Sequence, residues 1–166
     1  MRYMASMKIW ISALLFLSSF TILQAQEEDA GEKALKQVLE ILTLQEPQLP
    51  AEGEMTSLLQ KGAWEALSYL NESEDDYTTE DLLEAVADYY NYQEDEVIIK
   101  LINPQDYNSY GMEVNVKYLL NKHNIELLTA QGAVKDSWQL LYLDHNYLAL
   151  DMGDIRVFFT HTPAQE

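Results

Sequence analysis

Along the second half of the chain, apolar and polar residues alternate. Met112, Val114, Val116 and Tyr118 take every second place, with Glu113, Asn115 and Lys117 between them. That is the pattern of a strand with one face in a core and the other in water. The run EVIIKLI from Glu96 precedes it across the break Asn103-Pro104-Gln105-Asp106, and HNIELLT follows with Ile125 and Leu127 facing in. Three more short strands come next: SWQLLYL, YLAL and DIRVFFT. Alternation places Trp138, Leu140 and Tyr142 on one face, then Leu148 and Leu150, then Ile155, Val157 and Phe159. Asp144-His145-Asn146 and Asp151-Met152-Gly153-Asp154 fall between these strands, and Asp, Asn and Gly are the residues that tight reversals demand. Strands joined in sequence by short turns make an antiparallel meander, which either lies open under helices or curls into a barrel.

The first half reads differently. Ala34, Leu35, Val38, Leu39 and Leu42 recur at helical spacing, and Pro47 and Pro50 end that amphipathic helix. MTSLLQKGAWEALSYL begins with a short helical turn, and its later part suits either helix or strand. Thr78 or Thr79 stands as N-cap before Glu80 and Asp81, with Leu82, Leu83, Val86 and Tyr90 on one face. This predicts a helix from about Thr79 to Tyr90. The layout expected is thus a leader over 1–25, an amphipathic helix and linker over 26–53, and a β-meander domain over 54–166 with a helical insert at about 78–91.

The leader is read from Arg2 and Lys8, the apolar run IWISALLFL, and the small and polar residues up to Gln24-Ala25-Gln26. This three-part order is that of a secretory signal peptide cut after Ala25, and the apolar run is shorter than the roughly 20 residues of a membrane span. Export without any cysteine predicts a fold without disulfides and points to a bacterial periplasm or medium. The mature chain is expected to be soluble, with no stable membrane insertion. The whole chain carries 28 acidic and 10 basic residues, a net charge of −18, and loss of the leader removes two of the basic ones. Such acidity excludes a phosphate-backbone binder, so no nucleic-acid partner is expected.

The order Tyr118, Asn124-Ile125-Glu126-Leu127, Trp138-Gln139-Leu140, Leu148-Ala149-Leu150 and Ile155-Arg156-Val157-Phe158-Phe159 resembles the closing strands of small bacterial lipocalin-like proteins. Gly62-Ala63-Trp64, after Leu58-Leu59, is similar to the Gly-x-Trp of the first barrel strand in that family. The resemblance implies an extracytoplasmic domain, mainly β with accessory helices (α+β), whose barrel mouth holds a small apolar ligand. It also implies a basic residue packed over Trp64, for which Arg156 is the candidate. Only seven strands are legible in the sequence, so the expectation is a shortened or partly open barrel. Its interior is either filled by side chains or holds one ligand cavity. Trp64, Tyr118, Trp138 and Phe159 are the candidate cavity lining.

Catalytic chemistry finds little support. There is no cysteine and no Gly-x-Ser-x-Gly, and Ser137 lacks a glycine-bracketed elbow. His123, His145 and His161 show no metal-ligand spacing. No catalytic residue, metal or cofactor is therefore expected, and the acids and histidine of the two reversals read as turn residues. Eleven tyrosines are more than a core of this size needs. Tyr89, Tyr90 and Tyr92 are the candidate interaction surface for a protein partner or a carbohydrate; packing on the barrel is the competing reading.

Overall fold

The computed structural model describes residues 30–71, 77–85, 88–103 and 105–162. The chain divides into two units, Met1–Gln37 and Val38–Glu166. The expected leader over 1–25 lies outside the described residues. In the first unit, residues 30–37 are helical, with Lys36 paired to Glu32 one turn earlier.

The second unit is built on one sheet. Its helices are α1 (residues 30–42, of which 38–42 belong here) and α2 (Glu52–Leu59). Its strands are β1 (Ala63–Asn71), β2 (Leu83–Glu84), β3 (Tyr89–Tyr92), β4 (Glu96–Asn103), β5 (Asp106–Asn121), β6 (Asn124–Leu128), β7 (Val134–Leu143), β8 (Tyr147–Asp151) and β9 (Ile155–Thr162). The nine lie in the order β2-β1-β3-β4-β5-β6-β7-β8-β9, and β9 pairs back onto β1 from Ala63↔Thr162 to Asn71↔Ile155. Eight antiparallel strands therefore close into an up-and-down barrel, with β2 added beside the far half of β1.

The fold class is thus as expected, mainly β with accessory helices, but the barrel is neither shortened nor open. The eighth strand is β3, which begins within the residues predicted to be helical and takes up their last turn. The Thr78 cap does form: its side chain accepts from Glu80 N–H, and Asp81 returns a carboxylate to Thr78 N–H at 2.7 Å. Only one 3-10 turn follows, Thr79–Asp81, before the chain opens. Pairing on both sides decides the outcome. Tyr90 stands opposite Trp64 on β1 and Ile99 on β4, which places Tyr90 and Tyr92 in the core.

Two of the bulges in the barrel wall decide which side chains face the core. Register shifts between Ala66 and Ser68 on β1, and between Leu140 and Tyr142 on β7, each insert one residue. Before each bulge the inward set contains Trp64 and Ala66, or Trp138 and Leu140; after it, Tyr69 and Leu143 point in. Tyr142, expected inside, is therefore turned out. Leu70 and Leu141 also face outward, where they join Ala149 and Phe158 in a patch covered by Ile41 and Leu42 of α1. The linker after α1 is stitched to the same region, since Gln48 N–H donates to Leu141 O at 2.8 Å.

One end of the barrel is plugged. Met55, Leu58 and Leu59 of α2 are buried against the interior, and Trp64 donates its indole N–H to Leu59 O at 3.0 Å. Tyr118 closes the same end: its hydroxyl donates to Gln93 O at 2.8 Å and accepts from Gln60 Nε2 at 3.0 Å.

Candidate functional site

The opposite end of the barrel holds a cavity, and its position follows from a slip in strand pairing. Ala66 N–H donates to Asp88 O and Ala85 N–H donates to Leu67 O, both at 2.9 Å. Their partners on β1 are adjacent, yet Ala85 and Asp88 are three residues apart, so the ladder loses register between β2 and β3. At that slip the wall carries two alanines, Ala66 and Ala85, in place of large side chains. A cavity of about 220 Å³ results, lined by Ala66, Tyr69, Ala85, Asp88, Tyr90, Met152, Ile155 and Val157. Met152 and Ile155 come from the β8–β9 reversal, which Asp151 pins by accepting from Gly153 N–H at 2.9 Å, with Gly153 at φ +96°.

The floor is aromatic. Tyr90 meets Phe159 edge-on at 5.0 Å between ring centres, and Trp138 at 6.1 Å. Burial, and secondarily the nearby Asp88, push the Tyr90 phenol up to about 12, so it stays a neutral hydroxyl. Asp88 is the charged group of the lining. It accepts from Ile102 N–H at 3.1 Å, and burial raises its carboxyl above the usual range despite that bond.

None of the four candidate lining residues borders this cavity. Trp64, Tyr118, Trp138 and Phe159 all face inward, but they are packed into the core below it, with Trp64 and Phe159 fully buried. Arg156 does not cover Trp64 either. It faces outward opposite Leu70, donates to Leu42 O at 3.0 Å and meets Asp151 at 3.4 Å. The ring against Trp64 is His161, at 5.3 Å. The tyrosine trio is divided by strand alternation: Tyr90 and Tyr92 point in, whereas Tyr89 lies outside beside Tyr110 and Lys100. Sequence reasoning missed Ala66, Ala85 and Asp88 because it placed the last two on a helix.

The acids and histidine of the reversals behave as turn residues. Asp144 accepts from Asn146 N–H at 2.8 Å and Tyr147 N–H at 2.7 Å, and His145 touches Lys61 at 3.3 Å. Among the described residues no group of three or more His, Cys, Asp or Glu is placed to hold a metal ion, and no helix is long and apolar enough to cross a membrane.

No family model and no curated protein matches the chain. Among solved structures it is similar to a lipocalin-like protein from Bacteroides uniformis, with 14% identity over 63% of this chain and 99% of that one, at a TM-score of 0.48. It is also similar to an uncharacterized protein from Bacteroides eggerthii, with 12% identity over 62% of this chain and 99% of that one, at a TM-score of 0.46. The strand order itself makes the fold of this chain an eight-stranded up-and-down barrel, an architecture that includes the lipocalins.

Proposed function

We propose that the protein is an exported, non-enzymatic binding protein that takes a small, largely apolar ligand in the barrel mouth. The observation that carries this reading is the cavity at the slip between β2 and β3, which is walled by apolar and aromatic side chains. Its 220 Å³ corresponds to about seven water-sized volumes and lies below the 300 Å³ or so at which drug-sized pockets begin. The ligand is therefore compact, and a long acyl chain would not be contained. Export is supported by the basic, apolar and small-residue segments up to Ala25.

Native mass spectrometry of protein purified from its own host tests both parts. The expected spectrum shows a chain beginning at Gln26 with a small molecule attached, and Ala85→Leu, which fills the cavity, abolishes the adduct. A chain that keeps residues 1–25 would sink the export claim. Protein without an adduct, whose Met152, Ile155 and Val157 methyl resonances also fail to move with a panel of small apolar compounds, would sink the ligand claim.

A further inference from the structure

The cavity wall is chemically lopsided. Asp88 is its one charged side chain, and no Lys, Arg or His stands among the lining residues to neutralise it. One carboxylate oxygen is engaged by Ile102 N–H; the other has no hydrogen-bond or ion-pair partner among the described residues. The rest of the lining is hydrocarbon from Ala66, Ala85, Met152, Ile155 and Val157, together with the rings of Tyr69 and Tyr90. A bound carboxylate or phosphate would face an uncompensated like charge in a partly desolvated site. A hydrocarbon alone would leave the free oxygen of Asp88 covered and unpaired.

We infer that the mouth selects a compact primary amine, its ammonium bonded to the free Asp88 oxygen and its apolar body against Met152, Ile155 and Val157. This rests on the reading of the cavity as a ligand site and specifies its chemistry. A charge-assisted N–H bond to a carboxylate is stronger than a neutral one, and this one would form where water is thinned by apolar walls. Burial, which already raises the Asp88 carboxyl, is offset when a cation arrives, so binding draws the carboxylate toward its ionised form. The net charge of −18 acts in the same direction, drawing cations toward the surface.

Three probes that share a cyclohexyl body decide the matter: cyclohexylamine, cyclohexanol and cyclohexanecarboxylate, titrated into the full-length mature protein at pH 7 with methyl NMR as the readout. The amine is expected to bind about tenfold more tightly than the alcohol, and the carboxylate more weakly than either. Asp88→Asn keeps an oxygen for Ile102 N–H, and urea midpoints confirm that it is folded. In that variant the amine and alcohol affinities are expected to converge. Equal binding of amine and alcohol in the wild type, or a preference that survives Asp88→Asn, overturns the amine inference and leaves the cavity reading standing. If none of the three moves the Met152, Ile155 and Val157 methyls, the cavity reading itself fails.

Discussion

Gly62 shows how a three-residue likeness acquires a physical reason. A Cβ there would collide with His161 Nε2 and stand 3.1 Å from Thr162 O, so the chain can enter β1 alongside the end of β9 at this point only if it carries no side chain. The His161 ring cannot easily withdraw, because it is held edge-on against the buried Trp64. Its Nε2 is buried without a partner among the described residues, and burial followed by the nearby Lys61 lowers its pKa below the usual 6.5. Gly62→Ala is expected to cost about 1–3 kcal/mol by overpacking. Because His161 is the obstacle, the Gly62→Ala and His161→Ala double variant should lose clearly less than the sum of the two singles in urea unfolding. Strict additivity would show that Thr162 O, and not the imidazole, sets the limit. The Gly-x-Trp glycine was legible in the sequence as a likeness. Its cause was not, since His161 lies about a hundred residues away along the chain.

At the scale of elements, the covered outer patch is the arrangement most open to test. Barrel exteriors normally face water, yet Leu70, Leu141, Ala149 and Phe158 face outward and are buried, because residues 38–42 of α1 lie over them. Leu42 has no exposed surface, and its carbonyl accepts from Arg156. Leu42→Ala is therefore expected to cost about 2–5 kcal/mol in urea unfolding, the range for a large core truncation, although Leu42 lies outside the barrel. A loss under about 0.5 kcal/mol, the ordinary surface value, would mean that α1 contributes little to stability.

What could be read of the elements beforehand follows from which forces were local. Val116 and Tyr118, or Leu148 and Leu150, announce their strands because alternation and short turns are written within a few residues. The segment from Leu83 to Tyr92 misled because Leu82, Leu83, Val86 and Tyr90 fit helical spacing, and the capping box ahead of them is real. Strand pairing to β1 and β4, from 60-odd to about 100 along the chain, overrode that local preference. The bulges at Leu67 and Leu141 are equally silent in the sequence, and with them the outward turn of Tyr142. The cavity was lost with β3, for its wall is made where β2 and β3 fall out of step.

For the whole molecule, closure and charge set the remaining behaviour. The ring from β1 through β3 to β9 pairs each of its eight strands on both sides over at least part of its length, which narrows the usual route to edge-to-edge aggregation. Against this works a net charge of −18, whose self-repulsion favours expanded states. The described ion pairs are too few and too exposed to reverse it: Lys36–Glu32 and Lys100–Glu113 lie at the surface, where such pairs are worth about 0–1 kcal/mol. Arg156–Asp151 is better shielded and responds less to salt. Raising NaCl from about 10 to about 150 mM shortens the Debye length from about 30 to about 8 Å, which screens the many repulsions at medium range more than the contacts within 4 Å. The thermal midpoint is therefore expected to rise over that range at pH 7, by a few degrees, with the gain levelling off at higher salt. A midpoint that falls as NaCl is added would mean that attractive pairs outweigh the repulsion and that the acidity is locally compensated. The same titration carried out on Asp88→Asn should run parallel to the wild type, because one carboxylate at the mouth changes the total by a single charge, whereas the amine preference of that site should disappear.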